Sequence, residues 1–178
     1  MKIRDTKSSY GIVTRSLHWL LAIGITLMLC FGFLMSYLPS GALSKTVYNV
    51  HKLVGLALLG LIILFMFWQF FNPRPKFPTN MPLWEQQVAR LVHFLLMAFF
   101  LIMPLSGWIF TSAAHHAPHF FGHTLSMPGI SASVEVSSAF NNIHVKLAVI
   151  VACLLGLHIL AALKHHFWDH DGILKRMM

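Results

Sequence analysis

The sequence predicts an all-α membrane protein, a single four-transmembrane-helix bundle. Its 178 residues are 57% hydrophobic and 10% charged, with a mean hydropathy of +0.70, too few polar groups to coat a water-soluble globule. Four apolar runs, at about 17–38, 48–71, 88–110 and 142–164, each reach the roughly 20 residues a helix needs to cross a bilayer. What remains is two short tails and three connections. Residues 1–178 therefore read as one transmembrane domain with no separate soluble unit and no internal repeat.

The first run follows basic residues as a signal peptide would, but it is too long for a typical signal core and lacks a clear small-residue cleavage site, so it reads as a retained helix. The second ends at the segment NPRPKFPTNMP, residues 72–82, whose prolines remove backbone donors and disfavour helix. Pro104 and Gly107 are expected to bend the third. The longest connection then runs from Thr111 to Asn141, and the fourth run closes the bundle. Cys30 and Cys153 fall within spans, where they are expected as small packing residues rather than a disulfide or metal pair.

Charge gives the orientation. With the N-terminus cytoplasmic, the inner side carries Lys2, Arg4, Lys7, Arg15, Arg74, Lys76, Arg90, Lys164, Lys175 and Arg176, against Lys45, Lys52 and Lys146 outside. This excess places both termini inside. The formal charge of +8 is then a topology signal and a contact with anionic lipid; no motif supports nucleic-acid binding.

His144 and His158 are fourteen residues apart in one apolar stretch. Fourteen helical steps rise about 21 Å and return to nearly the same face, so one helix presents two imidazoles near opposite sides of the membrane. Helix direction fixes the depth of the others. His18 lies at the inner start of the first span and His51 at the outer start of the second, giving an outer pair, His51 with His144, and an inner pair, His18 with His158. A ring in a membrane helix is often only an interhelical hydrogen bond, but four at matched depths, with no carboxylate mid-span, fit two six-coordinate haems. Without a Cys-x-x-Cys-His the haems would be of b type, and the second ring nitrogens are expected to donate to backbone carbonyls one turn back. Gly55 and Gly156 would admit a flat macrocycle or serve plain packing. Arg15, Lys52 and Lys146 stand where propionates would emerge, or snorkel to the interface.

These residues carry a resemblance. The His18–Trp19 pair, His51-x-x-x-Gly55, the FGHTLSMP of residues 121–128 and the final AALKHHFWDHDGILKRMM make the chain resemble the bacterial cytochrome b561 family of four-helix di-haem membrane proteins. The resemblance implies that His18, His51, His144 and His158 are the axial ligands of two haem b groups, in a bacterial inner membrane. It also implies electron transfer from superoxide, or another one-electron donor outside, to ubiquinone and the quinone pool, as in a superoxide oxidase. Lys45, Lys52 and Lys146 would favour approach of an anion. His165, His166 and Trp168, beside Lys164 and Asp169, would form a quinone and proton-handling site or else a polar helix cap. His93, near the inner level, is assigned to hydrogen bonding or the quinone neighbourhood. Quinol oxidation in the reverse direction stays open. Two other readings are a cytochrome b anchor subunit of a larger dehydrogenase or hydrogenase, and a metal-binding or transport protein using His115, His116, His119 and His123, a tract that departs from the family pattern. The chain is expected to work as a monomer or small homo-oligomer.

Overall fold

The computed structural model describes residues 2–178. Four helices, α1 (Ile12–Met35), α2 (Ala42–Phe70), α3 (Leu83–Ala113) and α4 (Val134–Phe167), are joined in order, with a two-residue antiparallel ladder, β1 (His119–Phe120) and β2 (His123–Thr124), between α3 and α4. A 3₁₀ turn, Leu174–Arg176, follows α4. All four helices are long and apolar enough to cross a membrane. This is a multi-pass membrane bundle.

Every helix starts before its apolar run, because hydropathy registers only the lipid-embedded part while a polar first turn is set by caps. The largest difference is in α4, which begins at Val134 rather than about 142. Ser133 Oγ accepts from the Val136 N–H at 3.2 Å, and Glu135 lies in the first turn, where the helix dipole favours an acid. The expected Thr111–Asn141 loop shrinks accordingly. In α2 the Gly41 N–H donates to Ser44 Oγ at 3.1 Å, and α3 begins directly after Pro82 with Glu85 in its first turn.

Each helix packs on the next in sequence, most extensively α3 on α4. The central core joins Leu21, Ile25 and Leu29 of α1, Ile62 and Phe65 of α2, and Val151 of α4. Val151 is fully enclosed and sits seven residues from both His144 and His158. The outward faces stay apolar: Leu20, Leu27, Ile63, Phe67, Ile150 and Leu160 are all exposed, as a lipid-facing belt requires. Cys30 and Cys153 lie on this exposed surface as free thiols, so the expectation that they pack inside is corrected.

At the end bearing both termini, Asp5 is 6% exposed and accepts from the Gly11 N–H at 2.6 Å and Thr14 Oγ1 at 2.8 Å. Thr14 Oγ1 accepts in turn from Trp68 Nε1 at 2.9 Å, tying the N-terminal segment, α1 and α2 together. Tyr10 in this segment has its phenol pushed above the usual range, by burial first and then by the Asp5 carboxylate. The tail folds back over the same end: Trp19 Nε1 donates to the Met177 carbonyl at 2.7 Å, and Arg176 Nη1 to the Lys76 carbonyl at 2.6 Å.

The opposite end is roofed by the hairpin. Its turn residues Phe121 and Gly122 both have positive φ, +46° and +81°, as a two-residue turn between antiparallel strands demands. Asn49 of α2 holds His119 twice, through its carbonyl at 2.9 Å and its N–H at 2.8 Å, while Trp108 Nε1 of α3 donates to the Leu125 carbonyl at 2.8 Å.

Thr14→Val strands the Asp5 carboxylate and the Trp68 indole N–H together, so it is expected to cost about 1–3 kcal/mol. Thermal unfolding in detergent would register this as a lower midpoint; an unchanged midpoint would show the link to be dispensable.

Candidate haem-binding site

Four histidines of the spans meet in two pairs. The His51 and His144 ring centres are 6.4 Å apart at the hairpin end, and those of His18 and His158 are 6.3 Å apart at the termini end. An iron gripped by two imidazoles, with bonds of about 2.0 Å and about 1.1 Å more from each nitrogen to its ring centre, needs a separation of about 6.2 Å. Both pairs fit. His93, the other histidine near the termini-side level, is 5.1 Å from His158, closer than such a bridge allows, and its Nδ1–H donates to the Ala89 carbonyl at 2.6 Å.

The second nitrogens follow the one-turn-back expectation only at His93. The His144 Nδ1–H instead crosses to α3, donating to the Met103 carbonyl at 2.9 Å with Ser106 Oγ 3.1 Å away. That bond leaves Nε2 unprotonated for a metal. His18 and His51 have buried Nδ1 atoms without a partner among the described residues.

A fourteen-residue interval recurs on every helix: His18 with Gly32, His51 with Phe65, His93 with Gly107, and His144 with His158. Each interval joins the two depths on one face. Gly32 and Gly107 accordingly meet the hairpin-side rings: a Cβ on Gly32 would lie 3.3 Å from His51 Cε1, and one on Gly107 2.9 Å from His144 Cε1. The glycines picked out from sequence do not do this. Gly55 faces Met28 at 3.9 Å and Gly156 meets nothing within 4 Å. Phe31, also missed, stacks on His51 at 6.3 Å and 21°.

The basic residues fall unevenly. Arg15 is half-buried one turn before His18, as expected for a group near that level. Lys52 is committed to the loop, donating to the His116 carbonyl at 2.6 Å. Lys146 is exposed and lies two residues beyond His144, about 200° around the helix. His115, His116, His119 and His123 do not converge: among the described residues the sole grouping of three potential ligands is Glu85, His165 and Asp169. The histidine tract builds the hairpin, with Thr124 Oγ1 3.1 Å from His119 Nδ1.

That other grouping lies at the termini end. His165 is buried, with Nδ1 2.6 Å from Asp171 Oδ2 and 3.0 Å from Asp169 Oδ2, contacts of ion-pair distance in which neither is aligned as a hydrogen bond. Lys164 Nζ sits 2.8 Å from both Asp169 Oδ2 and Glu85 Oε1. Trp168 is 84% exposed, and His166 packs its ring on Phe167 at 4.7 Å, so neither joins this network. Asp171 and Glu85 escaped the sequence reading because fold-back of the tail and the pairing of α3 with α4 bring them in.

Paired imidazoles at two depths of a four-span bundle define a membrane haem protein of the electron-transferring cytochrome b kind. The chain matches the prokaryotic cytochrome b561 family over residues 9–178, and it belongs to that family. It is 30% identical to cytochrome b561 homolog 2 of Escherichia coli K12, covering 100% of this chain and 95% of that protein. It is 27% identical to cytochrome b561 homolog 1 of the same organism, over 91% and 92%. A Yersinia pestis protein named probable superoxide oxidase CybB is 25% identical, over 95% of each. Family membership implies b-type haem and membrane electron transfer.

Gly107→Ala drives a methyl against the His144 ring, a strain of about 1–3 kcal/mol. Haem per protein should fall below wild type, and fall less in Gly32→Ala, where the approach is looser. Equal haem content in all three proteins would mean that the glycines do not shape the site.

Proposed function

We propose that the protein holds two haem b groups, the hairpin-side one between His51 and His144 and the termini-side one between His18 and His158, and works as a superoxide:ubiquinone oxidoreductase. The observation carrying this is the twofold occurrence, about 21 Å apart along α4, of histidine pairs at the separation iron requires. When bound, the haems supply one-electron transfer between the two faces. Two superoxide anions, one ubiquinone and two protons give two dioxygen molecules and one ubiquinol, so charge and atoms balance.

The chain's own residues set access at each end. With the termini cytoplasmic, Lys45, Lys52 and Lys146 give the periplasmic face a positive field that favours an anionic donor, and Lys52 also holds the roof. At the cytoplasmic end His165, seven residues and about 10 Å beyond His158 along α4, is the group that protonates a bound quinone. Arg15 stands where a propionate of the same level would emerge. His93 holds the α3 wall of that level through Ala89. The relative named probable superoxide oxidase supports the donor, and the buried imidazole with its carboxylates supports the acceptor. The bundle would operate as a monomer or small homo-oligomer.

Haem quantitation with reduced-minus-oxidised spectra tests the ligand sets. Wild type should carry two haems per chain, and His144→Ala and His158→Ala should each lose one, with distinct spectral components missing; retention of both in either variant would overturn the assignment. Mixing the purified protein with superoxide and ubiquinone should yield one quinol per two superoxides. Rapid haem reduction with no quinol would sink the acceptor half of the proposal.

A further inference from the structure

Quinol formation needs two protons, and the termini end contains a route for them. His165 is enclosed on its Nδ1 edge by Asp171, whose side chain is 3% exposed, and by Asp169, at 24%. Asp171 is itself fixed, its Oδ1 accepting from the Ile173 N–H at 3.0 Å. Lys164, 47% exposed, bridges Asp169 to Glu85 of α3. A cavity of about 250 Å³, large enough for several waters, is lined by Asn80, Glu85, Lys164, Asp169 and Asp171. Three carboxylates, Glu85 of α3 and Asp169 and Asp171 of the segment after α4, thus line one water-accessible hollow, and the two aspartates also stand against the buried His165 imidazole.

We infer that Asp171, Asp169, Lys164 and Glu85 form the proton inlet that recharges His165 from the cytoplasmic side during quinone reduction, an inference that rests on the quinone assignment above. A carboxyl proton on Asp171 passes to Nδ1 as the Nε2 proton, on the far edge of the ring, passes to a quinone oxygen. An O–H bond forms on the quinone and the imidazole N–H shifts from Nε2 to Nδ1. Asp171 is left as carboxylate, to be reloaded from cavity water through Asp169, and each relay delivers one proton, the imidazole regaining its Nε2 N–H by tautomer exchange before the second. The electrons come from the one-electron donor at the opposite face. Lys164 keeps Asp169 and Glu85 together at the mouth, so these residues are positioning and relay groups, and His165 alone touches substrate.

The test compares the haem-loaded wild type with Asp171→Asn, Asp171→Glu and Glu85→Gln. It measures haem reduction by donor without quinone, then kcat and KM for quinone. Asp171→Asn should cut kcat at least about tenfold, the scale of a lost proton-transfer group, with KM held within about twofold. Donor-driven haem reduction should not change. Asp171→Glu should restore most of the rate, and added formate should partly rescue Asp171→Asn by carrying protons into the cavity. Glu85→Gln, at the mouth, should lower kcat less and in the same pattern, and it gives the readout if Asp171→Asn proves unstable. Unchanged kcat in both neutral variants, or a KM rise matching the fall in kcat, would overturn the inlet while leaving the quinone reading standing. A wild type that reduces no quinone would overturn both.

Discussion

An imidazole inside a bilayer has no water to satisfy its nitrogens, and the bundle is organised by that need. Each ring must meet a carbonyl, a hydroxyl, another ring or a metal, or its burial costs several kcal/mol. His93 meets a carbonyl of its own helix, and His144 reaches across to Met103 on α3. In His18 and His51 the Nδ1 atoms are buried with no acceptor, a cost that a metal bond on the opposite nitrogen of the same ring would outweigh. His165 Nδ1, among its aspartates, is the third buried ring nitrogen without an aligned hydrogen bond among the described residues, so it is the pairing of His18 and His51 with a second ring at the same depth that points to a metal.

Close approach around those rings follows from the interval that places them. Because fourteen residues bring an α-helix back to nearly the same face, whatever stands fourteen positions from a termini-side ring stands beside the hairpin-side pair. On α1 and α3 that position is glycine, and both glycines lie against histidine edges. On α2 the reciprocal position is Phe65, buried in the central core. Val151, halfway along α4, closes the core between the levels with no exposed surface. The apolar middle therefore separates two polar depths.

The depth of each histidine was legible in the sequence, since helix direction and a fixed rise turn position along a span into position in the membrane. The same arithmetic held Gly32 and Gly107, yet their role depends on which helices become neighbours, and hydropathy is silent on that. Gly55 attracted notice for following His51 by one turn, although its face turns to Met28. The start of α4 was missed because Ser133 and Glu135 are polar and a span-seeking reading begins where lipid begins. Asp171 was hidden for a different reason: its meeting with His165 requires the tail to turn back after α4, a reversal that uses His170 at φ +50° and Gly172 at φ +75°.

The two levels are unequal in a way that assigns them different chemistry. The hairpin-side pair is flanked by glycines and roofed by loop backbone that Lys52 and Asn49 hold in place, and no carboxylate is found in hydrogen-bonding contact with it among the described residues. The termini-side level has the additional ring of His93 and, seven residues further along α4, an imidazole joined to two aspartates and, through Lys164, to a glutamate. Electron entry needs only close approach and a suitable field, whereas reduction of a quinone needs protons delivered at the same place. On the proposed reading, the buried imidazole with its carboxylates at the termini end gives the bundle a direction that the symmetric spacing of its histidine pairs does not.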